Sequence, residues 1–353
     1  MLDQMLQVVA RSLSPELAPP EVLDPLSAIA AQLPDALTHS LGLECRLGPG
    51  PSPVDLVILL ATGEQRRILA GTHPRIDLPD ALVEHPVWRR VRTFARLWDD
   101  PGSSLHTRVE NVWLELDADR VVNGVPVPGV FFQVDGGARA DAADPAWITG
   151  EALSVLRGEP LPPALREAVE ACFGQARGRA RVLHVGVFPA RGMDAVRLFL
   201  HPFPEGGLAS FLDAAGWPGR VADVAAAAEE LAGLADDLYL NVDVGPAGVQ
   251  PRIGVECHFR GLAQPASEPR WGRLLDHLAG RGACTPSKCR ALLDFPGATV
   301  EDFLYRRPVH RGLHHVKVVL QPGRPPEAKA YLGALHGPAG RVEARAAAVA
   351  SVA

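Results

Sequence analysis

The stretch from Asp237 to Phe259 alternates apolar and polar residues on two arms that flank a Pro/Gly-containing turn. Every second residue is apolar, from Leu240 to Val244 on the first arm and from Ile253 to Cys257 on the second. A period of two on both arms predicts a β-hairpin with one apolar face and one polar face. The polar face is rich in ionisable side chains.

The same unit occurs five times along the chain, with helical stretches between successive copies. Repetition of one supersecondary unit constrains the whole architecture more than any single hairpin does. The copies are Leu43 to Leu60, Val109 to Asp135, Val182 to His201, Asp237 to Phe259 and Leu313 to Gly333.

Five hairpins supply ten antiparallel strands, which either stay open with two edges or close on themselves. The expected fold class is therefore α+β: five αββα-type repeats that form a ten-stranded antiparallel β-barrel with a polar lumen, surrounded by helices. A barrel of this width cannot fill its interior with side chains, so it holds a ligand or water. We expect the apolar strand faces to pack against the helices.

The predicted helices include residues 2–13, 26–37, 79–100 and 285–293. Thr285 is expected to cap the last of these, with Pro286 at its first position.

The opposite strand faces then meet in the lumen. The lumen residues expected from the four later hairpins are Trp113, Glu115, Asp117, Phe131, Gln133, His184, Gly186, Arg197, Phe199, His201, Tyr239, Asn241, Asp243, Arg252, Gly254, Glu256, His258, His315, Lys317, Gln321, Lys329 and Tyr331. Ionisable groups, amides and aromatic rings in one enclosed space are typical of a reaction chamber.

Composition narrows the class of protein. The chain has 353 residues, of which 47% are apolar and 22% charged, and its net charge is −6. The apolar content allows a large core, and no Pro/Gly-rich segment is long enough to be a domain linker, so we expect a single barrel domain over residues 1–335. The Ala/Gly/Arg-rich stretch over 336–353 is expected to be a C-terminal tail. Nucleic-acid binding lacks the basic patch that it needs, and no apolar run is long enough for a membrane span.

The cysteine pattern points to a reducing compartment. Five cysteines are scattered without a C-x-x-C spacing, and the N-terminus lacks the features of a secretory signal. We expect a soluble cytoplasmic protein with free thiols.

With these repeats and lumen residues, the chain resembles the αββα-repeat prenyltransferases, also called the ABBA or PT-barrel family, over roughly residues 43–333. Lys329-Ala330-Tyr331 has the form of the Lys-x-Tyr pair that is typical of that family. The resemblance implies that Arg197, Arg252, Lys317 and Lys329 bind the diphosphate of an allylic donor. Preorganised cations neutralise the charge of a leaving diphosphate.

The resemblance further implies that Tyr239 and Tyr331 shield the allylic cation and that Glu115 accepts the proton of the acceptor. The implied partners are a prenyl diphosphate donor and an aromatic small molecule or peptide side chain. No protein metal ligand is implied. Asp243 and Glu256 would pair with Arg252 and the lysines, or would hold Mg²⁺ together with the donor.

Several other interpretations compete with this one. Lys317 and Lys329 also fit solvated edge-strand charges, and Glu115 and Asp117 also fit an exposed strand face. The whole barrel also fits a non-catalytic ligand-binding or accessory protein.

A metal-dependent enzyme is a further alternative. Glu256 and His258 share a strand face and would bind a metal with His184 or His201. His314 and His315 are expected to point to opposite faces, because they are adjacent on a strand.

Overall fold

Ten strands form a closed antiparallel barrel in the computed structural model of the chain, which describes residues 2–51, 53–134, 144–301 and 308–337. The strands are β1 (Ser40–Arg46), β2 (Val54–Leu60), β3 (Val109–Leu116), β4 (Val121–Val122), β5 (Val125–Pro126), β6 (Gly129–Val134), β7 (Arg181–Val187), β8 (Val196–His201), β9 (Asp237–Gly245), β10 (Gly248–His258), β11 (Gly297–Val300), β12 (Pro308–Leu320) and β13 (Glu327–His336).

The barrel strands follow chain order around the ring, and β13 pairs with β1. Around the ring the order is β10, β9, β8, β7, β6, β3, β2, β1, β13 and β12, and pairing of β12 with β10 closes it. Strand β11 pairs with the start of β12, and β4 and β5 form a separate small ribbon. The five predicted hairpins and the closed ten-stranded barrel are confirmed.

The helices surround this ring. They are α1 (Leu2–Ser12), α2 (Pro20–Ala30), α3 (Gly63–Ala70), α4 (Asp80–Glu84), α5 (Pro86–Asp99), α6 (Ser104–Arg108), α7 (Pro145–Trp147), α8 (Leu153–Arg157), α9 (Pro163–Ala176), α10 (Gly207–Ala214), α11 (Val221–Ala232), α12 (Arg270–Gly280) and α13 (Pro286–Asp294), with a π-helical turn at Ile148–Ala152 between α7 and α8.

Prolines set two helix boundaries that apolar spacing alone misplaces. The predicted helix over 79–100 is split, because His85 precedes Pro86 and adopts an extended ψ of 132°, as residues before proline do. The predicted helix over 26–37 instead starts at Pro20 and ends at Ala30. The cap predicted at Thr285 is present: its side chain accepts a hydrogen bond from the Lys288 amide.

Both faces of strand β9 are buried from Tyr239 onward. On β9, Leu240 and Val242 face the helices and are at most 1% exposed, while Asn241 and Asp243 face the lumen and are at most 7% exposed. The apolar side chains of the alternating pattern therefore form the core between strands and helices. The polar side chains line the enclosed interior of the barrel. Interpretations of lumen charges as solvated strand faces are excluded for Glu115, Asp117 and Lys317, which are 6–8% exposed.

The structure also bears on the predictions about membrane spans and cysteines. No helix in the described ranges is long and apolar enough to cross a membrane. The cysteines at 45, 172, 257, 284 and 289 are buried free thiols. Strand β13 includes His336, and the rest of the predicted tail from residue 338 lies outside the described residues.

Candidate active site in the barrel interior

A row of directly opposed residues crosses the lumen wall over five strands. Tyr239 of β9 faces Glu256 of β10, which faces Lys317 of β12; Lys317 faces Lys329 of β13, and Lys329 faces Arg46 of β1. Three cations therefore stand side by side. Like charges directly opposite one another destabilise a sheet, so this wall requires anions in front of it.

Glu44 and Glu256 supply two of these anions. The ammonium group of Lys329 and the hydroxyl of Tyr331 both donate to the carboxylate of Glu44. Lys317 Nζ lies 2.9 Å from Glu256 Oε1 and donates to Tyr331 Oη at 3.2 Å. The two lysines and the tyrosine thus form one connected polar network.

Burial and charge act against each other in this network. Burial alone would raise the pKa of Glu44, but Lys329 and Lys317 lower it further than burial raises it, so the net shift is downward. The pKa of Glu256 is likewise well below its usual value, because Lys317 and the neighbouring histidines outweigh burial. Burial lowers the pKa of Lys329 despite Glu44.

Aromatic rings flank the lysines. Lys317 Nζ lies 5.5 Å from the ring centroid of Phe199 and 5.1 Å from that of Tyr331. The Tyr331 ring stacks on His315 at 4.1 Å. Tyr239 stacks on His201 at 3.9 Å and is tilted against His258 at 4.3 Å. The site therefore combines fixed cations with aromatic faces that favour positive charge.

Arg197 is held by the acid opposite it on β9. Its Nε and Nη2 donate to the two oxygens of Asp243 at 2.7 and 2.9 Å. The sequence interpretation placed Asp243 with Arg252, and the register instead gives it Arg197.

Arg191 clamps the predicted proton acceptor. It lies in the 3₁₀ turn Pro189–Arg191 after β7, and its guanidinium donates to Glu115 and, at 2.8 Å, to Asp117 Oδ2. The guanidinium also lies 4.1 Å from the ring centroid of Phe188. Strand periodicity does not report on turns, so sequence reasoning missed this residue.

Asp55 is a second buried acid that sequence reasoning missed. It lies opposite Glu44, is 1% exposed, and accepts a hydrogen bond from the Ala118 amide at 3.3 Å. Burial raises its pKa to about 7, with repulsion from Glu44 and Asp117 adding to the effect. The same alternation that was read on the later hairpins, applied to β1 and β2, would have found both Glu44 and Asp55.

The other predicted lumen residues vary in role. Gln133 donates to Glu110 at 2.8 Å and accepts from Asn111, and partly buried Trp113 lies opposite Phe131. Among the described residues, the side chain of Asn241 and Nε2 of His184 are buried without a hydrogen-bond partner. Burial lowers the pKa of His184 to about 4. Such orphaned atoms are expected where an interior holds water or a polar ligand.

Arg252 does not belong to this group. It lies at the exposed start of β10, next to the irregularity between Val249 and Ile253, and pairs with Glu327 at 3.1 Å while 43% of its side chain stays exposed. The prediction that it faces the enclosed lumen is wrong.

A second correction concerns His314 and His315. A bulge in β12 between Leu313 and His315 brings both rings to the same side, with their Nδ1 atoms 2.7 Å apart. One ring nitrogen of each lies within 4.8 Å of one of His258. The expectation that the two rings point to opposite faces is therefore wrong. In the described residues, His258 clusters with these rings and not with His184 or His201.

The architecture matches solved structures. The prenyltransferase PriB in its apo form superposes with a TM-score of 0.54 at 13% identity, covering 94% of each chain. The barrel has the αββα prenyltransferase fold. AnaPT from Neosartorya fischeri covers 91% of this chain and 88% of its own at 13% identity and a TM-score of 0.45.

A third match is the 5-dimethylallyltryptophan synthase from Streptomyces coelicolor, at 15% identity, 94% coverage of both chains and a TM-score of 0.44. No protein-family model and no curated protein matches the sequence. At such identities the likeness to prenyltransferases concerns the fold.

Proposed function

We propose that this barrel is a prenyltransferase, which moves an allylic prenyl group from a diphosphate donor to an aromatic small molecule or a peptide side chain. One observation carries the proposal: Lys317 and Lys329 stand directly opposite each other, facing the interior, beside the rings of Tyr331 and Phe199. Paired interior cations next to aromatic faces suit a diphosphate joined to an allylic cation. The αββα prenyltransferase fold agrees with it.

In the proposed reaction, the bond between the allylic carbon and the diphosphate oxygen breaks, and both electrons leave with the diphosphate. Lys317, Lys329 and Arg197 bind this leaving group. Tyr331 and Tyr239 shield the allylic cation from water. An acceptor carbon then forms the new bond and releases its proton to a carboxylate.

Two carboxylates compete for the role of proton acceptor. Glu115 has the position that the family resemblance implies, but Arg191 holds it in an ion pair. Asp55 has a pKa of about 7, which suits a general base near neutral pH. We assign the role of proton acceptor to Glu115. Asp55 is the alternative acceptor that mutagenesis must test.

The donor must compete with acids already in place. Glu44 and Glu256 neutralise the lysines, so an arriving diphosphate either displaces them or shares the lysines with them. Carboxylate oxygens are also the ligands that Mg²⁺ prefers, so Mg²⁺ bound with the donor would offset their repulsion.

Isothermal titration with dimethylallyl and geranyl thiolodiphosphates, with and without Mg²⁺, tests the proposal. We expect micromolar binding that is lost in the double variant Lys317→Ala/Lys329→Ala. Arg252→Ala is the matched control, because it removes an exposed cation outside the lumen. Unchanged affinity in the double variant, or no binding at millimolar analogue, would remove the donor assignment.

One observation favours a second candidate, a non-catalytic ligand-binding barrel. The interior cations Arg191, Arg197, Lys317 and Lys329 are each paired with a buried acid, so the interior is electrically satisfied without a donor. This candidate predicts binding of a neutral ligand and no affinity for the thiolodiphosphates, so the same titration separates the two.

A further inference from the structure

Three histidines meet where β10 ends. His258 is the last residue of that strand and stands directly opposite His315 of β12. The two imidazoles stack with centroids 4.5 Å apart and an interplanar angle of 21°. His314 is the extra residue of the β12 bulge, and its ring lies edge-on to both, at 5.8 and 4.9 Å.

The bulge is what makes the cluster possible. On a regular strand, adjacent side chains point to opposite faces, so His314 would face the helices. A bulge turns a side chain toward a new direction, and here it adds a third imidazole to a cross-strand pair. One nitrogen from each ring then lies within 4.8 Å of the other two.

Glu256 lies behind two of the rings. Its Oε2 is 3.1 Å from His258 Nε2, and its Oε1 is 3.6 Å from His315 Nε2. A carboxylate that accepts from one imidazole nitrogen orients the ring and raises the basicity of the other nitrogen, which is the usual arrangement behind a metal-binding histidine. In His258 this leaves Nδ1 as the atom free to bind an ion.

We propose that His258, His314 and His315 form a binding site for a divalent transition-metal ion of the zinc class, with Glu256 as the carboxylate that orients the ligands. Neutral imidazole nitrogens prefer Zn²⁺, Co²⁺, Ni²⁺ or Cu²⁺ over Mg²⁺ and Ca²⁺. Three protein ligands leave one position of a tetrahedral ion open. In addition, Nε2 of His314 is buried without a hydrogen-bond partner among the described residues, as expected for a ring placed for a ligand.

Zinc titration of the full chain, first stripped with a chelator, tests the site without any substrate. We expect one equivalent of Zn²⁺ to bind at micromolar concentration or tighter and to raise the melting temperature. His314→Ala should lower the affinity at least a hundredfold. His201→Gln is the matched control: it removes a lumen histidine beside Tyr239 that lies outside the cluster, and it should bind as the wild type does.

X-ray absorption of the zinc-loaded wild-type chain keeps the test valid even where a variant fails to fold. The spectrum should show three imidazole nitrogen ligands and one oxygen ligand. Absence of stoichiometric binding, affinity unchanged by His314→Ala, or a spectrum with fewer than three imidazoles would overturn the proposal. Mg²⁺ at the same concentration should neither compete with Zn²⁺ nor raise the melting temperature, and competition by Mg²⁺ would also count against it.

Discussion

Lys317 Nζ lies 2.9 Å from Oε1 of Glu256, and the two residues are directly opposite each other on β12 and β10. The pair joins the fourth hairpin of the barrel to the fifth. Because Glu256 also accepts from His258, this one carboxylate connects the proposed diphosphate site with the proposed metal site.

Breaking this pair should cost more than removing it whole. Lys317→Met leaves Glu256 buried without its closest cation, and we expect a loss of about 3–5 kcal/mol in the free energy of unfolding. The double variant Lys317→Met/Glu256→Gln removes both charges and should lose far less. Urea unfolding of the two variants measures the difference, and equal losses would show that the pair is not coupled.

Asp55 should make stability depend on pH. Its pKa is about 7 in the folded state against an ordinary 3.8, so the folded state favours the protonated carboxyl. Its contribution is fully present below about pH 4 and is lost as the pH rises through about 7. At about 1.4 kcal/mol per pKa unit, the total is on the order of 4 kcal/mol.

Asp55→Asn removes this dependence, so the variant should gain stability over the wild type at pH 8 and gain none at pH 4. Urea unfolding at the two pH values measures it. A stability difference that is the same at both would contradict the raised pKa. Asp213→Asn, on the exposed side of α10, is the control.

The proton acceptor should be identified by its effect on kcat. Under the proposed function, Glu115→Gln lowers kcat by about 10²–10⁴-fold and leaves the affinity for the donor analogue unchanged. Asp55→Asn should leave kcat within a few-fold of wild type. If Asp55→Asn is the inactive variant and Glu115→Gln is active, the two roles are reversed.

The ring of Tyr331 and its hydroxyl should have separable effects. Tyr331→Phe removes the hydrogen bond from the hydroxyl to Glu44. Because the aromatic face remains, kcat should change little. Tyr331→Leu removes the face that would stabilise the allylic cation, and a loss of about 1–2 kcal/mol of stabilisation corresponds to about tenfold in kcat. Single-turnover rates with saturating donor measure this, and equal rates for the two variants would exclude a role for the ring.

The fold was predictable because its signal is local and repeated. The alternating hairpin pattern recurs five times along the chain, and antiparallel pairing follows from the tight turns. The residues of the site were harder to predict from the sequence, because bulges change which face a residue occupies. The bulge at His314 and the irregularity before Ile253 account for the two wrong placements, at His314 and Arg252.

Contacts between residues far apart in the sequence were also not predicted. Arg191 lies in the turn after β7 and contacts Glu115, which is 76 residues earlier in the chain. The alternation of residues along a strand does not predict such a contact. Glu44 and Asp55 carried the same alternation as the residues that were identified. At Glu44, Lys329 and Lys317 outweigh burial and lower the pKa, whereas burial, with repulsion from Glu44 added, raises the pKa of Asp55. Alternation alone does not give these neighbours.

The most direct test of the central claim is a gain of donor affinity. Glu44→Gln removes the acid that occupies Lys329 and keeps its shape. If Lys317 and Lys329 bind the diphosphate, isothermal titration without Mg²⁺ should show dimethylallyl thiolodiphosphate binding about tenfold more tightly to Glu44→Gln than to the wild type, equivalent to about 1.4 kcal/mol. Unchanged or weaker binding would contradict the account.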